Sequence, residues 1–258
     1  MELFDLSGKV AIITGSSRGI GRAVAEAFAG AGATVVISSR KQDACEHVAD
    51  AIIAKHGEGR AVAIAASISD KQALKSLVSQ TRARFGHIDV LVCNAASNPY
   101  YGPMSGISDE QFRKTFDNNV LSNHWLINMV APEMIERKDG VIIVVSSIGG
   151  FLASTVIGAY HITKAADLQL VRNLALEFGP YNVRVNAIAP GIIRTEFARA
   201  LWDNPATAAA LNRATPLGRI GEPDEVAGAA VFLASKSGAF VTGQAIVVDG
   251  GIMIKGGA

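Results

Sequence analysis

Hydrophobic and polar positions follow two alternating periods along the chain, and this alternation predicts strands followed by helices. The first apolar run, Val-Ala-Ile-Ile after Lys9, is typical of a strand buried on both faces of a parallel sheet. Apolar residues then recur every three or four positions from Ile20 to Ala31, which predicts a helix that ends near Gly32. Apolar runs predict seven strands, at residues 9–14, 34–37, 61–65, 88–92, 141–145, 183–188 and 245–248.

Helical spacing fills the intervals between these runs, for example at residues 71–85 and 160–178. Pro223 and the two acidic residues after it predict a further helix start, because proline fits the first turn and acids suit the positive end of the helix dipole. The chain shows no internal repeat, linker or low-complexity segment. We therefore expect residues 1–258 to form a single-domain α/β Rossmann fold, with a doubly wound, seven-stranded parallel sheet and helices on both faces.

Composition narrows the class of function. Of the 258 residues, 49% are hydrophobic and 18% charged, and 24 basic against 23 acidic side chains leave a net charge of +1. This balance argues against binding to nucleic acid or to an anionic membrane. The five histidines and two cysteines have no metal-ligand spacing and no disulfide framework, so we expect no metal site and a cytoplasmic location. Residues 140–163 carry no charge, but Ser-Ser and Gly-Gly pairs interrupt them, which argues against a membrane span.

A glycine-rich loop, Thr14-Gly-Ser-Ser-Arg-Gly-Ile-Gly21, joins the first strand to the first helix. Glycines permit a tight turn and a close approach of the backbone to a ligand, and the free N–H groups of a helix start can hold a pyrophosphate. An ordinary glycine-rich turn is the alternative interpretation. The position of the loop, directly between a strand and an amphipathic helix, favours dinucleotide binding.

One tyrosine stands out from the chain's four, because only Tyr160 has a lysine, Lys164, four residues later. Residues four apart share a helix face, so these two side chains can point into one pocket; a surface pair is the alternative. Ser147 follows the fifth predicted strand, 13 residues before Tyr160, and open α/β sheets bind ligands at such strand ends. A nearby ammonium group lowers the pKa of a tyrosine, which is about 10 in isolation.

The loop spacing Gly-x-x-x-Gly-x-Gly, taken together with Asn119, Ser147, Tyr160 and Lys164, resembles the short-chain dehydrogenase/reductase family over nearly the whole chain. The resemblance implies that Tyr160 is the catalytic acid and base and that Ser147 holds the substrate oxygen. It also implies that Lys164 assists Tyr160 and binds the nicotinamide ribose, and that Asn119 supports Lys164 through water.

The same resemblance implies a nicotinamide cofactor. Ser67 stands where the family often has an aspartate that binds adenine, so a lower affinity for adenine is expected. The cofactor-binding set lies in the glycine loop, after the second, third, fourth and sixth strands and on the helix that begins at Tyr160. It consists of Gly15, Ser17, Arg18, Gly19, Ile20, Gly21, Ser39, Arg40, Ser67, Ile68, Asn94, Ala95, Tyr160, Lys164, Pro190, Gly191, Ile193 and Thr195.

The end of the second strand predicts which cofactor is used. An acidic residue there binds the ribose hydroxyls of NAD, but this chain has Ser39, followed by Arg40. With Arg18 from the glycine loop, two guanidinium groups can bind a 2′-phosphate. We expect NADP(H) to be preferred and NAD(H) to be the weaker cofactor. The alternative is that Arg40 and Lys41 form only a solvated helix start.

The leading hypothesis is an oxidoreductase that interconverts a small-molecule carbonyl and a secondary or primary alcohol. Phe197, Leu201 and Trp202 indicate an apolar substrate pocket. An alternative is a 3-oxoacyl-carrier-protein reductase that docks its acidic carrier through a basic patch including Arg137. A remote alternative is a non-catalytic dinucleotide sensor, since a fold does not fix function. Family members of this length commonly form homotetramers through two long helices, so we expect a homotetramer here.

Overall fold

A computed structural model describes residues 2–255, and its centre is one sheet of seven parallel strands. The strand order is β3-β2-β1-β4-β5-β6-β7, so the chain reverses direction across the sheet between β1 and β4, where such folds form a crevice. The predicted Rossmann-type sheet is confirmed. The strands are β1 (Val10–Thr14), β2 (Thr34–Ser38), β3 (Ala61–Ala63), β4 (Val90–Cys93), β5 (Gly140–Val145), β6 (Val183–Pro190) and β7 (Ala245–Val248).

Helices cover both faces of the sheet. Successive strand residues point to opposite faces: Ile13 joins the hydrophobic cluster of α1, α2 and α9, while Ile12 joins that of α3, α5 and α6. Among residues 2–255, no helix combines the length and apolar character that a membrane crossing needs. The α-helices are α1 (Gly19–Gly30), α2 (Gln42–His56), α3 (Lys71–Phe85), α4 (Asp109–Phe116), α5 (Ser122–Arg137), α6 (Gly158–Phe178), α7 (Arg199–Trp202), α8 (Pro205–Ala214) and α9 (Pro223–Ala234).

Several element bounds differ from the sequence prediction: β4 begins at Val90 rather than at residue 88, and β6 extends to Pro190 rather than ending at residue 188. Strand β3 ends at Ala63 rather than at residue 65. The reason is the Gln42 side chain, which donates to the carbonyl of Ala63 (3.2 Å) and accepts from the N–H of Ala65 (2.8 Å). A π-helical turn, Asp117–Leu121, joins α4 to α5, and such turns are common at functional sites.

Asp89 anchors the opposite, amino-terminal edge of the sheet. Its carboxylate is 5% exposed and accepts a 2.8 Å hydrogen bond from the N–H of Val10, the first residue of β1. His87 Nε2 lies 3.2 Å and Arg137 3.5 Å from the same carboxylate. The side chain therefore ties the starts of β1 and β4 to the end of α5.

We expect Asp89→Ala to lower the free energy of unfolding by about 1–3 kcal/mol, because it leaves the buried Val10 N–H without an acceptor. In a chain of this size each kcal/mol lowers the melting temperature by about 2–4 °C. Asp50→Ala, on the exposed face of α2, is the control and should change stability by less than about 0.5 kcal/mol. Equal melting temperatures for the two variants would contradict this role of Asp89.

Candidate active site

The residues predicted to bind cofactor or substrate lie at the carboxyl ends of the strands. Because all seven strands are parallel, the loops that follow them meet at one edge of the sheet. The glycine loop follows β1, Ser39 follows β2 and Asn94 follows β4, while Ser147 and Gly191 follow β5 and β6. The structure brings the predicted groups to one side of the molecule.

The glycine loop packs directly against the loop after β4. Gly15 has a φ of +66°, and a Cβ added to Gly21 would lie 2.5 Å from Asn94 Nδ2. Asn94 Nδ2 donates to the carbonyl of Thr14 (2.9 Å), and Thr14 Oγ1 accepts from the backbone N–H groups of Asn94 (3.0 Å) and Ala95 (3.1 Å). Only glycine fits this close approach without displacing Asn94.

The start of α1 is suited to a pyrophosphate. Arg18 precedes the helix in an extended conformation and its side chain makes no capping hydrogen bond. The first N–H groups of the helix are therefore available, and they carry the positive end of the helix dipole. With the glycine loop beside them, these groups fit the diphosphate of a dinucleotide.

Ser39 marks the end of the cleft that lies next to β3. Its carbonyl accepts from the N–H of Ala66 (2.9 Å), which places the loop carrying Ser67 and Ile68 beside it. Ser39 Oγ lies 3.2 Å from Cys45 Sγ, and Ser67 Oγ lies 2.8 Å from Ser69 Oγ. Arg18, in the glycine loop, and Arg40, directly after Ser39, are both exposed, and Ser39 itself carries no charge at the position where NAD-binding proteins of this fold have an acid.

Tyr160 lies in the first turns of α6, half-buried. Its ring centroid is 5.6 Å from Lys164 Nζ and 5.8 Å from the ring of Phe197. Ser147 follows β5, and its Oγ accepts from the N–H of Gly149 (3.0 Å). The tyrosine therefore has a cation on one side and an aromatic ring on another.

Lys164 is buried, with 2% of its side chain exposed. Nζ donates to the carbonyl of Val145 at the end of β5 (2.9 Å) and to Asp167 Oδ2 (3.0 Å). Burial is the largest single effect on the pKa of Lys164 and lowers it, but the charge and hydrogen bond of Asp167 together with the charges of Tyr160 and Cys93 raise the pKa above its usual value. The side chain is thus held as an ammonium group below Tyr160.

Asn119 lies in the π-helical turn and is fully buried. Its Oδ1 accepts from the N–H of Ser97 (2.8 Å), and its Nδ2 donates to the carbonyl of Ser97 (2.9 Å) and to Thr163 Oγ1 (3.1 Å). The side chain therefore joins the loop after β4 to α6. Its main-chain carbonyl accepts from Asn123 Nδ2 at 2.6 Å.

Two buried polar residues near Lys164 were missed by the sequence analysis: Asn123 and Asp167. Asn123 Nδ2 donates to Asp167 Oδ1 (3.0 Å), and neither side chain is more than 3% exposed. The spacing of both residues from predicted site residues could have indicated them. Asp167 interrupts the apolar face of α6 three residues after Lys164, and Asn123 follows Asn119 by one helical turn.

The turn after β6 forms the last wall of the cleft. Pro190 ends the strand, and the N–H of Gly191 donates to the carbonyl of Val248 (2.9 Å). Ile193 is buried, and Thr195 Oγ1 accepts from the N–H of Ala198 (3.3 Å). The turn is therefore fixed by β7 behind it and by the short helical segment after it.

Large apolar side chains are exposed on the segments that follow β4, β5 and β6. Phe197 lies against Tyr160, and His161 Nδ1 bonds the carbonyl of Leu152 (2.7 Å), which holds the segment after Ser147 beside α6. Exposed aromatic and aliphatic side chains in this region mark a binding surface. They are Tyr101, Met104, Phe151, Leu152 and Phe197.

Comparison with known proteins agrees with this geometry. A family model described as Enoyl-(Acyl carrier protein) reductase matches residues 15–253. Dehydrogenase/reductase SDR family member 4 from Bos taurus is 40% identical over 247 residues, which cover 95% of this chain and 88% of that protein.

Solved structures of similar proteins have the same fold. The structure of a gluconate 5-dehydrogenase from Burkholderia cenocepacia J2315 in complex with NADP and tartrate superposes with a TM-score of 0.93 at 33% identity, covering 99% of both chains. A 7 alpha-hydroxysteroid dehydrogenase complexed with NADH and 7-oxo glycochenodeoxycholic acid superposes with a TM-score of 0.92 at 37% identity, covering 97% of this chain and 96% of that one.

A doubly wound parallel sheet with a glycine loop at its crevice defines the Rossmann-type class of dinucleotide-binding folds. The chain belongs to the short-chain dehydrogenase/reductase family. It is an NAD(P)-dependent oxidoreductase that acts on CH–OH or carbonyl groups.

Proposed function

We propose that this protein is an NADP(H)-dependent oxidoreductase that interconverts a carbonyl and an alcohol, with Tyr160 as the catalytic acid and base. The observation that carries the proposal is the buried Lys164 ammonium group, 5.6 Å from the ring centroid of Tyr160. A fixed positive charge at this distance favours the phenolate form. Lys164 is therefore placed to stabilise the negative charge left on Tyr160 when its proton is transferred.

The reaction needs a hydride on carbon and a proton on oxygen. The bound cofactor supplies the hydride, and with it both electrons. Tyr160 donates its hydroxyl proton to the carbonyl oxygen, while the Ser147 hydroxyl donates a hydrogen bond to the same oxygen. The phenolate left on Tyr160 is stabilised by Lys164 until a proton from solvent restores the hydroxyl. In the oxidative direction the phenolate takes the proton of the alcohol.

The remaining predicted residues would bind the cofactor. Gly15, Ser17, Gly19, Ile20 and Gly21 would surround the pyrophosphate at the start of α1, where the N–H groups are free. Residues near β2, β3 and β4 would enclose the adenosine, and those after β6 the nicotinamide. Tyr160 and Lys164 would also bind the nicotinamide ribose. The adenosine and nicotinamide sets are Ser39, Ser67, Ile68, Asn94 and Ala95, and Pro190, Gly191, Ile193 and Thr195.

The exposed apolar side chains on the segments after β4, β5 and β6 support an apolar small-molecule carbonyl as substrate. The gluconate and hydroxysteroid substrates named for similar proteins differ widely in polarity, and the ring of Phe197, 5.8 Å from that of Tyr160, suits the apolar kind. Docking of an acidic carrier protein through Arg137 has less support, because Arg137 donates to the carbonyl of Ile88 (2.9 Å) and lies near Asp89. A purely sensory role does not explain the buried charge beneath Tyr160.

Preference for NADP(H) is supported by the residues around the end of β2. Ser39 has no charge to repel a phosphate, and Arg18 and Arg40 are exposed beside it. Guanidinium groups bind phosphate oxygens through pairs of charge-assisted hydrogen bonds. The free, buried cysteines accord with the cytoplasmic location that we also propose.

A homotetramer is the proposed assembly, built through α5, α6 and the last strand. Large apolar side chains are exposed on α6 (Ile162 and Leu176), on β7 (Val247) and on the loop before β7 (Phe240), which is uncommon for a free surface. Leu176 on α6 is 82% exposed and Phe240 before β7 is fully exposed. Burial of such side chains between subunits would be favourable at about 25 cal/mol for each Å² of apolar surface.

For catalysis, we expect Tyr160→Phe to reduce kcat by about 10²–10⁴-fold, because it removes the proton donor. The dissociation constant for NADPH, measured by fluorescence, should rise by a much smaller factor, about fivefold, because one hydrogen bond to the ribose is lost while the packing of the ring remains. Tyr181→Phe, on the exposed turn after α6, is the matched control and should have parent activity. Turnover by Tyr160→Phe close to the parent rate would disprove the assignment of the acid and base.

For the cofactor, we expect the parent enzyme to have a higher kcat/KM with NADPH than with NADH. Ser39→Asp should move the ratio of the two values toward NADH by about tenfold or more, because a carboxylate repels the 2′-phosphate and accepts from the ribose hydroxyls. Ser79→Asp, on the exposed face of α3, should leave the ratio unchanged. A parent enzyme that works as well with NADH shows that Arg18, Ser39 and Arg40 do not select a phosphate.

For assembly, static light scattering at micromolar concentration should give about four times the 26.9 kDa mass of one chain. Leu176→Asp should lower that mass, because a carboxylate cannot be buried in an apolar interface without a partner. Glu177→Asp, at the neighbouring exposed position, should leave it unchanged. A stable monomer of the parent protein would refute the proposed assembly.

A further inference from the structure

The buried ion pair between Lys164 and Asp167 is a feature that the proposed reaction does not itself require. Nζ and Oδ2 are 3.0 Å apart, and the side chains are 2% and 0% exposed. The pair lies on the inner face of α6, alongside the apolar residues Leu168 and Val171. Replacing a buried ion pair with apolar residues is often neutral or stabilising, so a gain in stability does not account for this pair.

Asp167 is itself held in place by α5. Asn123 Nδ2 donates to Asp167 Oδ1 (3.0 Å) and to the main-chain carbonyl of Asn119 (2.6 Å). Both N–H bonds of the amide nitrogen are therefore used, and each carboxylate oxygen has a donor. A continuous path of hydrogen bonds runs from the carbonyl of Asn119 through Asn123 and Asp167 to Lys164.

The hydrogen bonds of the ammonium group define its direction. An ammonium nitrogen has three donors, of which one is used by the carbonyl of Val145 (2.9 Å) and one by Asp167 (3.0 Å). With two bonds fixed, the tetrahedral nitrogen leaves one donor free. The centroid of the Tyr160 ring lies 5.6 Å from the same nitrogen.

We propose that Asp167 is a positioning residue for the reaction: held by Asn123, it fixes the Lys164 ammonium group beneath Tyr160 and keeps it charged while cofactor and substrate cover the site. The inference rests on the proposed function of Tyr160 and Lys164. Asp167 touches neither substrate nor cofactor in this assignment and acts through Lys164.

The charges around the pair agree with this role. The groups that face Lys164 are Asp167 and Tyr160 on its own helix and Cys93 on β4. Burial raises the pKa of the Cys93 thiol, and the charge of Asp167 raises it further, so Cys93 stays neutral. The counter-charge for the ammonium group is therefore the carboxylate of Asp167. Without it, burial alone would favour a neutral lysine, which cannot stabilise a phenolate.

The test is a double-mutant cycle on purified enzyme, with kcat and the dissociation constant for NADPH as readouts. Asp167→Asn keeps the shape and one acceptor but removes the charge. It should lower kcat by about 10- to 100-fold, as displacement of a group in the site does, and weaken NADPH binding by about fivefold, since the proposed ribose contact is disturbed. In the Lys164→Met background the same substitution should change both values by less than about twofold, because its effect passes through Lys164.

Two further variants keep the test decisive. Asn123→Ser keeps both charges but removes the hydrogen bond that holds Asp167. It should therefore lower kcat by a smaller factor than Asp167→Asn does, and only when Lys164 is present. This variant replaces Asp167→Asn in the test if Asp167→Asn does not fold. Glu177→Gln makes the same carboxyl-to-amide change on the exposed face of α6 and should have parent values.

The outcomes separate this inference from the proposed function. Folded Asp167→Asn and Asn123→Ser enzymes with parent kcat would overturn the positioning role. A loss of kcat of equal size in the parent and Lys164→Met backgrounds would also overturn it, because it would show that the ion pair is only structural. Parent activity in Lys164→Met would instead overturn the proposed function itself. Loss of activity in Lys164→Met and Tyr160→Phe, with Asp167→Asn unaffected, would leave the proposed function standing and remove only this inference.

Discussion

The common direction of the seven strands is the constraint on which the site depends. Parallel strands cannot be joined by tight turns, so each connection crosses the sheet and returns to the same edge. The loops at the carboxyl ends of the strands therefore lie together at one edge of the sheet. Neighbouring loops separate and leave a crevice only between β1 and β4, where the strand order reverses. Thr14 and Asn94 link the two loops at that point by hydrogen bonds of 2.9 to 3.0 Å. The crevice is thus held at a fixed width before any ligand enters.

Features set by local sequence were predictable from the sequence. Continuous apolar runs located all seven strands, because a strand buried on both faces has no polar alternation. The bounds of α3 agree with the prediction, since Asp70 caps its first turn with hydrogen bonds to Gln72 and Ala73. The glycine spacing also located the loop at β1, because the close approach of Asn94 excludes any side chain at Gly21.

What the sequence did not reveal depends on contacts between distant segments. The end of β3 is decided by the amide of Gln42, which comes from another element. The partners of Lys164 could not be assigned, because the contact between Asn123 and Asp167 spans 44 positions in the chain. Helical periodicity places Asp167 on an apolar face but does not say which donors meet it there. Side-chain networks of this kind become visible only when the helices are packed.

The segment after β6 is tied to the glycine loop through Thr195 and Trp202. The indole Nε1 of Trp202 donates to the carbonyl of Thr195 (3.0 Å), and the guanidinium of Arg194 lies 5.5 Å from the indole ring centroid. The methyl group of Thr195 faces Gly19 at the start of α1. A displacement of the glycine loop can therefore be transmitted to α7 through Thr195 alone. Since Phe197 on the same segment packs against Tyr160, the surroundings of Tyr160 and the position of the glycine loop depend on one segment of the chain.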